Sequence, residues 1–171
     1  VLVGSLGIMT VMRNVVWKTE LSLWQDTFQK SPNKLRPLIN LARAHSLEGN
    51  NEKAIQYYLK SLEEGPRVFA SNYNLGDLYL KKNLVTDAIR YFLIASRVEP
   101  KMPETFARLG EIYFSKNNYK LADSYFRHAI ELNPNFSQVF KNLGVINFYH
   151  LNNPKQGLIF FSRSLTLAPE Q

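Results

Sequence analysis

From Leu35 onward the apolar and polar positions recur in rows of 34 residues. Rows starting at Leu35, Phe69, Pro103 and Ser137 place Leu41, Leu75, Leu109 and Leu143 in the seventh column and Ala42, Gly76, Gly110 and Gly144 in the eighth. The twentieth column holds Ala54, Ala88, Ala122 and, one residue late, Gly157. The twenty-fourth holds Tyr58, Phe92, Phe126 and, again late, Phe161, and the twenty-seventh holds Ser61, Ala95, Ala129 and Ser164. At about 100° per residue, positions 4, 7, 8 and 11 of a row share one helix face, and positions 2, 5, 6, 9, 12 and 13 share the opposite one. Each row therefore predicts two helices: first helices over 35–48, 69–82, 103–116 and 137–150, and second helices over 51–64, 85–98, 119–132 and about 154–167. Asn-rich turns separate them at Gly49-Asn50-Asn51, Lys82-Asn83, Asn117-Asn118 and Asn152-Asn153, and Asn153-Pro154 puts a capping side chain before a proline in the first helical position. The delay in the last row is expected in its turn, around Leu151-Asn152-Asn153, where an extra residue costs least.

Small residues in columns 8, 20 and 27 let paired helices approach, the aromatic column fills the gap to the next pair, and Pro66, Pro100, Pro134 and Pro169 stop the second helices. Upstream, Trp24, Thr27 and Pro32 occupy the aromatic, small and proline columns of a preceding row. Thr19 to Lys30 thus reads as the second helix of a degenerate repeat that caps the array, with Trp24 as its buried aromatic. The segmentation is 1–17, an apolar N-terminal helix; 18–34, a capping half-repeat; and repeats over 35–68, 69–102, 103–136 and 137–171. Val1 to Met12 carries no charge. It is shorter than the roughly 20 apolar residues that cross a bilayer, so it reads either as the end of a membrane span or as a buried helix.

These columns match the tetratricopeptide repeat, whose Leu-Gly, Tyr, Ala, aromatic, Ala and Pro positions appear here as Leu75-Gly76, Tyr79, Ala88, Phe92, Ala95, Pro100 and as Leu109-Gly110, Tyr113, Ala122, Phe126, Ala129, Pro134. Departures are His45 and Asn147 in the Tyr column and Ala42 in the Gly column. The resemblance covers 35–171 and implies an all-α solenoid, a right-handed superhelix of helix-turn-helix units. A shorter resemblance lies in Arg13-Asn14-Val15-Val16-Trp17-Lys18-Thr19-Glu20-Leu21-Ser22-Leu23-Trp24 with Pro32. It is similar to the junction after the last membrane helix in the transmembrane and tetratricopeptide-repeat O-mannosyltransferases and their bacterial relatives. That resemblance implies membrane association and an array on the periplasmic or lumenal side, with any glycosyl transfer in membrane segments outside this chain. The alternative is a free-standing scaffold or assembly factor, in the cytoplasm for instance.

Composition narrows the function to recognition. Without cysteine there is no thiol nucleophile, zinc ribbon or disulfide framework. His45, His128 and His150 lack metal-ligand spacing, and no G-x-S-x-G, G-x-x-x-x-G-K or G-x-G-x-x-G occurs, so neither catalysis, metal nor cofactor is expected. Glu63-Glu64 reads as solvated, and Asn135-Phe136-Ser137 as a chance sequon. The formal charge of +7 is scattered from Arg13 to Arg163 and favours acidic partners or anionic lipid surfaces. Nucleic acid is not the expected partner, because Asp77, Glu104 and Glu111 stand among the basic residues of the candidate groove.

In tetratricopeptide arrays the face at positions 2, 5, 6, 9, 12 and 13 lines a concave, peptide-binding groove. The resemblance therefore nominates Arg36 at position 2; Tyr73 and Lys141 at position 5; Asn40, Asn74, Arg108 and Asn142 at position 6; Arg43, Asp77 and Glu111 at position 9; and Lys81 and Tyr149 at position 13. A carboxamide supplies donors and an acceptor together, so Asn40, Asn74 and Asn142 suit the amides of an extended segment, resembling the asparagine ladder of O-GlcNAc transferases. An Arg43, Asn74 and Arg108 line suits one acidic group, although Ile39, Arg43 and Glu104 exclude a full carboxylate clamp. In the last helix Leu158, Ile159, Phe160, Phe161, Leu165 and Leu167 point in nearly every direction, which predicts self-association or further repeats beyond it.

Overall fold

The computed structural model describes residues 18–168, and among them helix follows helix without a strand. The α-helices are α1 (Glu20–Lys30), α2 (Leu35–Leu47), α3 (Asn51–Glu64), α4 (Phe69–Lys81), α5 (Val85–Val98), α6 (Pro103–Ser115), α7 (Tyr119–Leu132), α8 (Ser137–Val145) and α9 (Pro154–Leu167), with a π-helical segment over Ile146–His150 between the last two. Second helices have the expected bounds, and α2, α4 and α6 end one residue early. None of the helices among the described residues is long and apolar enough to cross a membrane. The segment Val1 to Met12 and the junction from Arg13 to Trp17 lie outside the described residues.

The turns explain why Asn recurs. Gly49, Asn83, Asn117 and Asn152 adopt positive φ of 78°, 58°, 58° and 52°, a conformation that Gly and Asn tolerate best. In the first three rows the next N–H then returns to the carbonyl of column 11: Asn50 to His45 (2.9 Å), Leu84 to Tyr79 (2.8 Å) and Asn118 to Tyr113 (2.9 Å). This closure satisfies carbonyls that the helix end would otherwise leave unpaired.

The last row closes differently, which corrects the expected place of its extra residue. Leu151 N–H bonds to Ile146 O at 3.0 Å, and Asn153 N–H reaches Asn147 O at 2.9 Å, six residues back rather than five. The insertion therefore precedes the positive-φ Asn152 and is taken up by widening the last helical turn into a π turn, so 137–150 is not a continuous α-helix. The bulge moves Phe148 against α9. A Cβ on Gly157 would stand 2.7 Å from Phe148 Cβ and 2.8 Å from its backbone nitrogen. That approach accounts for glycine where the other rows have a fully buried alanine.

The contacts divide the chain into two compact units, Val1–Leu78 and Tyr79–Gln171. In the first, α1 begins with a reciprocal cap in which Thr19 Oγ1 accepts from Ser22 N–H and Ser22 Oγ accepts from Thr19 N–H, each at 3.1 Å. Leu38, Leu41, Ala42, Ala54 and Tyr58 are fully buried there, and Ser61 and Ser71 join α3 to α4 by a 2.6 Å hydroxyl contact. The capping helix itself buries no residue completely. Trp24 is half-buried, not the core aromatic expected from its column. The α1 ring that reaches α3 is Phe28, edge-on to Tyr57 at 5.4 Å.

The second unit packs α6 to α9 around Phe106, Ala122, Phe126, Ala129, Val139, Phe140, Leu143 and Ile146. The small-residue column works as expected: a Cβ on Gly110 would stand 2.6 Å from the Phe126 ring, and one on Gly144 2.6 Å from that of Phe161.

Candidate peptide-binding face

Within the first unit, α2 presents Arg36 and Arg43 to solvent with Asn40 half-buried between them, and α4 presents half-buried Tyr73, Asn74 and Asp77. These positions follow from helical spacing, because Leu38, Leu41 and Ala42 take the opposite face of α2 into the core. Arg43 forms an ion pair with Glu20 on α1, so its charge is already shared. The Asn74 amide donates one N–H to Ala70 O at 2.7 Å, one turn back on its own helix. Tyr73 packs on Phe69 at 5.6 Å.

Within the second unit, Lys81 and Lys141 are exposed, and Arg108 donates to Glu111 at 3.1 Å on α6. Asn142 Oδ1 accepts from Gln138 Nε2 at 3.2 Å. Tyr149 is 69% exposed and lies in the π segment, edge-on to Phe148. Arg43 and Asn74 thus belong to the first unit and Arg108 to the second. The two asparagines each spend one hydrogen-bonding group on their own helix, and a carboxamide has further donor and acceptor capacity beyond that one bond.

A second set of aromatic residues lies outside the face nominated from the sequence. Tyr57, Tyr91 and Tyr125, in the column before the aromatic one, stack on column 11: His45 with Tyr57 at 5.5 Å and 1°, Tyr79 with Tyr91 at 5.3 Å and 2°, and Tyr113 with Tyr125 at 5.5 Å and 7°. Three tyrosines in one column are the signal in the sequence that points to them. In the last row Asn147 replaces the ring and donates to Asp123 Oδ1 at 2.6 Å and to Leu143 O at 3.0 Å. Asp123 also takes the Arg127 guanidinium at 2.6 Å, and Arg127 lies 5.1 Å over the Phe160 ring. One polar network thereby ties α7 to the π segment and α9.

The shifted pKa values report packing. Burial pushes Tyr58 up to about 12, with Arg43 opposing, and its hydroxyl has no hydrogen-bond partner. Burial, then the neighbouring Tyr79, raises Tyr91; burial, then Tyr113, raises Tyr125. His45 is lowered by burial and then by Lys53, with Glu48 opposing. Among the described residues, no group of three His, Cys, Asp or Glu side chains is placed to hold a metal ion.

Paired helices, closely approached small columns and stacked ring columns define a helical-repeat protein. Tetratricopeptide repeat family models match residues 39–101 and 103–136, together more than half of the chain, which belongs to that family. Solved structures share the fold. A crystal structure of MamA gives a TM-score of 0.79 at 17% identity over 88% of this chain and 87% of that one. MamA 41-end from Desulfovibrio magneticus RS-1 gives 0.78 at 19% identity over 98% and 96%. A thermophilic repeat protein of Thermus thermophilus gives 0.66 at 18% identity over 88% and 82%. No curated protein matches the chain at a significant level.

Proposed function

We propose that this chain is an interaction scaffold that captures extended segments of other proteins on the faces of its first helices. The observation that carries the reading is the column of polar side chains at position 6. Asn40, Asn74, Arg108 and Asn142 are half-buried one repeat apart, positioned by the core on the other side of each helix. Catalysis has no part in it. The resemblance to an O-mannosyltransferase junction rests on Trp17, Glu20, Leu21, Trp24 and Pro32, and nothing in the comparisons adds to it, so the scaffold reading stands without a membrane glycosyltransferase attached. Self-association belongs to the same reading: α9 offers Leu158, Ile159 and Leu165, each more than half exposed, to a second copy.

The test selects peptides from a displayed random library on the full chain and measures them against Arg108→Ala/Asn142→Ala, both in the second unit. Loss of one charge-assisted and one neutral hydrogen bond should weaken binding by about tenfold or more, with helicity and melting little changed. A large fall in melting temperature would show that the column is structural. Unchanged binding would place the peptide elsewhere.

A further inference from the structure

The turn edge of the second unit carries a basic pattern that the peptide face does not use. Column 14 of the rows holds Lys82, Lys116 and His150, and column 18 holds Lys120 and Lys155, all exposed. In the first unit the same two columns hold Glu48 and Glu52. No Asp or Glu occurs in 81–86, 115–121 or 149–156, and no Arg either. Of the carboxylates next along these helices, Asp87 pairs with Arg90 at 3.2 Å, Glu111 with Arg108 and Asp123 with Arg127, and Asp77 lies one turn before Lys81 on α4. The opposite edge of this unit, where second helices lead into first ones, is mixed, with Glu99, Lys101, Glu104 and Glu131.

Two of the turns meet. Lys116, Tyr119, Lys120 and His150 line one open depression of about 480 Å³, with the His150 ring stacked on Tyr119 at 3.7 Å and 9°. The first turn of α7 contributes its amide end to the same place, which adds positive potential. Apolar side chains stand exposed between these charges: Leu84 at 44% and Leu121 at 42%, with Tyr149 beside His150.

We infer that this edge is a docking surface for an anionic lipid bilayer, with lipid headgroups drawn to columns 14 and 18 and the Leu84, Leu121 and Tyr149 side chains entering the headgroup region. Three features favour a bilayer over an acidic peptide or a nucleic acid. The cations are lysines, hydrated point charges suited to a diffuse negative plane, and the arginine forks that grip individual phosphates or carboxylates are missing from these segments. Exposed leucines among lysines gain by leaving water at a lipid interface and gain nothing on a phosphodiester backbone. The residues recur turn by turn along an edge, not along a groove that would grip a strand.

The experiment is vesicle flotation of the full chain with phosphatidylcholine alone and with phosphatidylcholine containing phosphatidylserine. Binding is expected only to the anionic vesicles and should fall about fivefold for each lysine removed in Lys116→Ser/Lys120→Ser. Leu84→Ser/Leu121→Ser should weaken it as well, whereas the equal charge change Arg97→Ser/Lys101→Ser, away from the edge, should weaken it far less. All of these side chains lie at the surface, and circular dichroism checks that each variant folds. Equal flotation with both vesicle types, an equal loss in the off-edge variant, or displacement of the vesicles by soluble polyglutamate or duplex DNA at matched charge would overturn the inference.

Discussion

His45 shows how one residue can leave a repeat's packing intact and change its response to pH. It takes the place of Tyr79 and Tyr113 and keeps their stacking, on Tyr57, but its Nδ1 is buried without a hydrogen-bond partner. Its pKa is lowered from 6.5, by burial first and Lys53 second, so the folded chain holds the neutral ring more tightly than the unfolded chain does. The sign follows from linkage. The stabilisation is complete above the unfolded value and is lost as pH falls through about 6.5 towards the lower folded value, because the unfolded chain takes up the proton first. Urea unfolding at about pH 7.5 and pH 5 should therefore show a drop in midpoint that is smaller in His45→Tyr. An equal drop in both would place the acid sensitivity elsewhere. The column departure was legible in the sequence, on the face that positions 4, 7, 8 and 11 share; the missing partner for Nδ1 was not, since it depends on which atoms of α3 face the ring. The same holds for Asn74. Its column was readable, but its bond to Ala70 O is a choice of rotamer that periodicity does not reveal.

At the scale of elements, the helix pairs and their Asn turns followed from the 34-residue rows because column spacing reports core contacts directly. The π segment did not, since Ile146-Asn147-Phe148-Tyr149 satisfies an apolar face whether the extra residue falls within the helix or after it. Only the hydrogen bonds to Ile146 and Asn147 place it. Gly157 was a second trace of the same event: it breaks an alanine column because the bulged backbone at Phe148 takes the space of its Cβ. This coupling gives a paired prediction. Gly157→Ala should destabilise the chain by about 1–3 kcal/mol through overpacking. Deleting Tyr149, which is mostly exposed, restores the spacing of the other rows and should let the Gly157→Ala methyl group pack as those of Ala54, Ala88 and Ala122 do. Thermal melts of the two single changes and their combination measure the coupling. Additive losses would show that Phe148 stays against α9 regardless of the insertion.

Across the whole molecule, charge and apolar surface act in opposite directions, and salt separates them. The last helix departs from the polar pattern in one column, where Ile159 follows Gln56, Arg90 and Ser124. Beside it Leu158 follows Ile55, Ile89 and Asp123, the carboxylate that meets Asn147 in the preceding repeat. Leu158, Ile159 and Leu165 are 58%, 59% and 57% exposed, and Leu165 with Phe161 borders a recess of about 230 Å³. Covering that face with a second copy removes apolar area from water but brings together two chains that each carry a formal charge of +7. Salt screens the repulsion over a Debye length of about 10 Å at 0.1 M and leaves the apolar gain intact. The mass measured by light scattering on the full chain should therefore rise with protein concentration and rise further with sodium chloride, whereas flotation on anionic vesicles should fall with the same salt. Ile159→Gln/Leu165→Gln, which adds no charge, should return the chain to monomer mass without changing flotation. A monomer at every concentration and salt would show that α9 keeps its apolar side chains in water. Association that weakened with salt would mean that copies meet through charged surfaces instead.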